Sequence, residues 1–408
     1  MTKRERLIQT LNHQEPDRVP VDFGGMRSTG IAASAYAKLV DHLGIDTRTK
    51  IYDIGQMLAV VDEEVLKRFQ VDVVPLEPFH ASWRQRAYVD QWEPRTLFDG
   101  TPAHFPKGTR IETTPEGDWD LVNDAGEITG RMPKNGYYFD SIESPIDFAS
   151  ETKIVPLEEL NPATTIPDEE LEYLQTKARH LYEDTDYGIL GFGFGTGFAQ
   201  LSIGGWTNWL CLMATEPNYC QDVVAKAAEA TIARLTLVYE AVGDCPQAWG
   251  IASDDMGTQK GELLSPAMFA SIVQPGYAAV CRWVHENTQW KTFIHCCGSV
   301  SRLLPGFIEA GIDIFNPVQT SAANMEPASL KQAYGRDIVF WGGGCDTQSV
   351  LPFGTPEEVY RHVQERLDIF APGGGFVFNQ VHNVQAHTPP ENVIAMLDAV
   401  GDWNDSRE

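Results

Sequence analysis

Five short stretches of this chain end in residues whose types could do chemistry. Lys291–Val300 reads Lys-Thr-Phe-Ile-His-Cys-Cys-Gly-Ser-Val, an apolar run closing on one imidazole and two thiols. On a strand, side chains alternate, so His295 and Cys297 share one face and Cys296 takes the other. An imidazole and a thiolate side by side make half of a zinc site. The other four are Ser253-Asp254-Asp255, Asn316-Pro-Val-Gln319, Trp341-Gly-Gly-Gly-Cys345-Asp346 and Asn379-Gln-Val-His382-Asn383. Each has a plain structural reading by itself, as a turn carboxylate, a packed thiol or a hydrogen-bonded core histidine. Taken together they place His295, Cys297, Cys345 and His382 at three strand ends.

Those ends must be positioned by something regular. From residue 168 onward, predicted helices alternate with predicted strands: 168–183, 217–242, 266–286, 299–309, 326–334, 356–370 and 390–401 as helices, with strands at 187–194, 248–255, 291–297, 312–317, 338–343 and 375–382. Ser265-Pro266, Thr355-Pro356 and Thr388-Pro389 pair an N-cap with a first-turn proline. Two earlier strands, Val19–Gly24 and Val71–Leu76, with helices over 2–18, 32–43 and 60–69, bring the strand count to eight. Eight strand–helix pairs predict an α/β fold, a (β/α)8 TIM barrel, over an open doubly wound sheet. Residues 81–150 break the pattern. They are rich in Trp, Tyr, Pro, Gly and Asp, with hairpin chemistry at Asn123-Asp-Ala-Gly126. The expectation is a single domain over 1–408 with 81–150 as an inserted small β-meander or lid.

In a barrel the active site lies at the C-terminal strand ends, where all five stretches fall. Mixed imidazole and thiolate donors suit zinc. The first choice of ligands is His295, Cys297 and Cys345, with His382 or one of Asp254 and Asp255 as a fourth ligand or a substrate contact. The glycine run 191–197 lacks the lysine of a phosphate-binding loop.

The chain carries 31 Lys and Arg against 57 Asp and Glu, a net charge of −26. Such acidity argues against nucleic acid and anionic membranes as partners. The opening residues show no apolar signal core, and no stretch reaches the roughly 18 apolar residues of a membrane span. Seven cysteines, an odd number, do not form a disulfide framework. A cytoplasmic location with reduced thiols is expected.

Several segments together resemble the uroporphyrinogen decarboxylase superfamily. They are Arg4-Glu-Arg6 with Glu15-Pro-Asp-Arg-Val-Pro-Val21, Leu264-Ser-Pro266, His295-Cys-Cys-Gly298, Phe353-Gly-Thr-Pro-Glu-Glu-Val359, and His382 with Thr388-Pro-Pro-Glu-Asn-Val393. That superfamily includes decarboxylases and zinc-dependent methyltransferases that work with methylcobamide. Met26-Arg27-Ser-Thr-Gly30 matches the decarboxylases' Met-Arg-Gln-Ala-Gly only in part, and Val74–Phe79 lacks their Phe-Ser-Asp, which holds the catalytic aspartate. His295-x-Cys297 is similar to the methyltransferase motif. The resemblance places the remaining cysteine ligand near the last strand, where this chain has His382; Cys345 lies one strand earlier and keeps the thiolate count.

The resemblance thus implies a methyltransferase that demethylates a small, O-methyl donor and passes the group to a corrinoid (cobalamin) on a partner protein. Asp254, Asp255 and His382 would be catalytic, and Arg27, Asn316, Gln319 and Asn383 would contact substrate. Trp83, Trp92, Trp119, Tyr137 and Tyr138 suggest an apolar cover. A homodimer is among the expected assemblies. Two alternatives stand beside this reading: a metal-free decarboxylase or lyase of a small acid using Asp254, Asp255 and Arg27, and a non-catalytic corrinoid-binding protein.

Overall fold

Short apolar runs rich in Val, Ile and Phe, bounded by glycine and proline, become seven parallel strands that curl into a barrel. The computed structural model describes residues 1–78, 88–142, 154–199, 203 and 205–407. Expectations that fall on the remaining residues, Trp83 among them, lie outside the described part. Neighbouring strands follow in the order Phe376–Val377, Val339–Trp341, Ile314–Asn316, Lys291–His295, Ala248–Ser253, Gly188–Phe192 and Val73–Leu76. Residues 19–22 complete the ring between the two ends. Asp72 N donates to Val21 O at 2.8 Å, and Asp22 N donates to Phe378 O at 2.8 Å. Val21 pairs with Phe378 in parallel. This is the expected (β/α)8 barrel, with its first strand reduced to a single bridge.

The interior is filled by alternate residues of the strands: Val73, Leu190, Ala248, Phe293, Ile314, Val339, Trp341 and Val377. Leu7 and Leu11 of the Lys3–Leu11 helix join them and plug one end. Gly188 leaves the room for that plug, since a Cβ there would stand 2.4 Å from Leu7 Cδ2. The helix is pinned by Arg6, which reaches Asp17 at 2.6 Å and the fully buried Asp72 at 2.7 Å. Arg18 meets the same Asp72 at 2.8 Å. The N-terminal part of the family resemblance is therefore a structural lock at the barrel's closed end.

Helices Asp168–Glu183, Pro217–Val242 and Pro356–Phe370 match their expected bounds. Ser265 and Thr355 cap as expected, accepting from Met268 N and Glu358 N. Thr388 does not: the last helix starts at Pro390, as expected, with Pro389 in the capping position. The helical stretch after Ser265 carries a π turn at Phe269–Val273, just ahead of Pro275, whose missing N–H an α turn could not accommodate. A helix at Gly205–Thr215 and a hairpin of Ile51–Asp53 with Leu58–Ala59 were not expected.

Between the Val73–Leu76 strand and the Asp168–Glu183 helix lie two antiparallel sheets. Tyr88–Thr96 pairs with Pro102–Lys107, and four strands run from Ile111–Thr113 to Asp140–Ser141. The Asn123–Gly126 turn forms as read: Asn123 Oδ1 accepts from Ala125 N and Glu127 N, and Gly126 takes a φ of +84°. The aromatic residues here do not form one cover. Trp119 is packed on Phe98 at 4.3 Å, Tyr137 stands 4.6 Å from His387, and Tyr138 is exposed.

Candidate metal centre

At the open end of the barrel the Lys291–His295 strand runs into Cys296-Cys297-Gly298. Gly298 adopts a φ of +93° and passes so close to Gly257 that a Cβ would lie 2.3 Å from its carbonyl carbon. Only glycine makes this turn. Gln319 braces it, its Oε1 accepting from Gly298 N at 2.7 Å. Strand alternation holds through the turn. Cys296 is buried in the outer layer, with Met256 N donating to its Sγ at 3.4 Å. Cys297 faces inward, and its Sγ stands 3.3 Å from His295 Nε2.

His382 completes the group. One ligand atom each from His295, Cys297 and His382 lies within 4.8 Å of the other two. Both imidazoles are held in the same way. His295 Nδ1 lies 2.7 Å from Asn316 Oδ1, and Asn316 Nδ2 donates to Trp341 O at 2.8 Å. An amide oxygen can only accept, so Nδ1 carries a hydrogen, and in the neutral ring the lone pair is on Nε2. His382 Nδ1 lies 2.7 Å from Asn383 Oδ1, and Asn383 Nδ2 donates to Gln56 Oε1 at 2.7 Å. Burial, reinforced by His295, lowers the pKa of His382 to about 4, so its ring is neutral at pH 7. Burial likewise pushes the Cys297 thiol well above its usual range, with Asp255 adding to the rise. The half-buried thiol thus depends on a cation to become a thiolate.

The structure places the other expected site residues in different surroundings. Cys345 is fully buried and does not join the three; its backbone O accepts from Val381 N at 2.8 Å. Burial also raises its thiol's pKa. Asp254 is buried away from the cleft. Its carboxylate accepts from Phe198 N at 2.7 Å, Ala199 N at 3.0 Å and the Tyr277 hydroxyl. It ties the loop after Gly188–Phe192 to the Gln274–Asn287 helix. Asp255 is the exposed neighbour at the rim: Oδ1 accepts from Cys297 N at 2.8 Å and stands 3.8 Å from His295 Nε2. Asn316 and Asn383 are engaged with the histidines. Arg27 is on the far side of the mouth, its Nε 3.0 Å from Asp53 and 3.9 Å from Glu77. Gln56, missed in the sequence, sits in the unrecognised hairpin and carries no signal of its own.

A cleft of about 490 Å³ opens over Asp255, Cys297, Gln319, His382 and Asn383. Donor identity, spacing and the two fixed lone pairs fit a tetrahedral zinc ion with one position left open.

Residues 145–403 match the family profile of uroporphyrinogen decarboxylase (URO-D). The chain belongs to that family. A methylated-thiol–coenzyme M methyltransferase of Methanosarcina mazei is 28% identical over 137 residues, covering 34% of this chain and 34% of that one. The chain thus spans about a third of the length of the curated relative it matches. A solved methyltransferase from Methanosarcina mazei shares the family fold, with a TM-score of 0.58 and 18% identity over 99% of both chains. Both named relatives are methyltransferases.

Proposed function

We propose that this chain is a zinc-dependent methyltransferase that moves a methyl group from a small O-methyl compound to a corrinoid carried by a separate protein. The observation that carries the reading is the convergence of His295, Cys297 and His382 at one cleft, each imidazole presenting Nε2. The family's methyltransferase relative supports the reaction class. The whole chain, 1–408, works as one domain with 81–150 inserted beside the mouth.

In this reading His382 takes the place first given to Cys345. When bound, zinc supplies Lewis-acid polarisation of the donor's oxygen as the methyl group leaves. The chain's own residues do the rest. Two neutral imidazoles and one thiolate leave a single net positive charge on a divalent centre, where two thiolates would leave none. Asp255 is the carboxylate beside that charge, and it holds Cys297 through the backbone N–H. Being exposed at the rim, it is also placed to exchange a proton with the departing alcohol. Gln319 shapes the turn and borders the cleft. The metal-free alternative loses ground because Asp254 is fully engaged by three donors and Arg27 is already balanced by carboxylates.

Metal analysis of the purified protein tests this directly. About one zinc per chain is expected in the wild type and in Cys345→Ala, with a marked loss in Cys297→Ser and His382→Ala. Spectroscopic assay with a reduced corrinoid and a panel of methyl ethers then reads methyl transfer. A wild type without zinc, or His382→Ala with full zinc, would sink the proposed centre.

A further inference from the structure

A second cavity, of about 390 Å³, lies along the outer side of the Val73–Leu76 strand, between the Glu63–Arg68 and Asp168–Glu183 helices. It shares no lining residue with the metal cleft. Val61, Leu66, Val74 and Trp92 give it apolar walls. Its other end is polar, formed by Arg27, Tyr52 and Glu77.

That polar end is left incomplete by the protein. Tyr52 Oη, Glu77 Oε1 and Arg27 Nε are all buried and make no hydrogen bond, although Arg27 is ion-paired. Buried polar groups are almost always paired, so three such atoms at one end of a cavity mark a place for something else to bond. The charges there are already matched. Arg27 faces Asp53 at 3.0 Å and Glu77 at 3.9 Å. At this end one cation stands between two carboxylates, which disfavours an anionic head there, while Lys50, Lys177 and His180 also line the cavity. A hydroxyl suits the vacancy, since it accepts from Tyr52 and donates to Glu77 at once. The volume lies in the range of sites for small molecules.

We propose that this cavity binds a small uncharged molecule with a hydroxyl- or amide-bearing head and an apolar body, the head bridging Tyr52 and Glu77. Binding here is independent of zinc, because the two cavities have no residue in common. Burial raises the Glu77 carboxyl to about 7 and the Tyr52 hydroxyl well above its usual range, which keeps both groups ready to bond a neutral partner.

The test uses benzyl alcohol and benzoate, two probes with the same body and different heads, titrated calorimetrically into the whole protein with and without a chelator. Saturable binding of benzyl alcohol is expected, unchanged by chelation. Benzoate should bind at least about tenfold more weakly. Tyr52→Phe and Glu77→Gln should each weaken benzyl alcohol by about tenfold, with circular dichroism confirming that each variant is folded. If one variant fails to fold, the other carries the comparison. No saturable binding of benzyl alcohol, equal binding in a folded variant, or a preference for benzoate would overturn the site.

Discussion

His295 and His382 are each oriented by an asparagine whose own amide is fixed from behind, by Trp341 O in one case and Gln56 in the other. Such outer contacts govern how well a ligand presents its lone pair. Asn316→Ala should therefore weaken zinc binding by about 10- to 100-fold, read by competition with a chromophoric chelator; an affinity equal to wild type would show that the asparagine does not position the ligand. Asp254→Ala belongs to a different class. It strips three donors of their acceptor in a fully buried setting, and a loss of about 3 kcal/mol in urea unfolding is expected. The sequence placed Asp254 and Asp255 together because neighbours at a strand end are chemically alike. It could not say which one faces the cleft. That depends on the register with Lys291–His295, which shifts between Gly250 and Ala252. The choice between Cys345 and His382 was open for a related reason. Counting thiolates says nothing about which strand ends adjoin, and the fold brings His382 rather than Cys345 to the pair.

At the scale of elements, helices with strong caps and clear periodicity were legible to the residue, Pro356–Phe370 with its Thr355–Glu358 capping box among them. Strands were read too long, since only part of each pairs regularly; Ile314–Asn316 and Phe376–Val377 are three and two residues. The Ile51–Ala59 hairpin was missed because its strands are as short and Met57, at a φ of +56°, gives no turn signature. The Cys296-Cys297-Gly298 turn is the element on which the proposed centre depends. Gly298→Ala must either leave the +93° backbone or push into Gly257. The expected outcome is a folded barrel, by far-UV circular dichroism, that has lost most of its zinc. A Gly298→Ala protein with full zinc would show that the turn tolerates a side chain.

For the whole molecule, alternation of strands and helices over most of the chain was enough to give the barrel. Burial on both faces of a parallel sheet writes itself as apolar runs. The net charge of −26 acts at this scale as well. Like charges on a compact body repel, and salt screens them. The melting temperature should rise by a few degrees between about 10 mM and 150 mM NaCl, where the Debye length falls from about 30 Å to about 8 Å; a fall would mean that attractive ion pairs such as Arg6–Asp72 dominate. Among the described residues, no helix is long and apolar enough to cross a membrane.

The ring closes on residues 19–22, held by Asp72 on one side and Phe378 on the other, with Asn404 accepting from Val19 N across 385 positions of chain. That seam sets a timetable. Residues 19–22 meet Asp72 soon after they are made, but Phe378 and Asn404 follow only some 350 positions further along the chain. Until then the growing sheet has two bare edges, and edges of this kind pair with whatever strand they meet. Between those two points the barrel is an open arc, and the segment that carries Phe378 and Asn404 acts as the clasp.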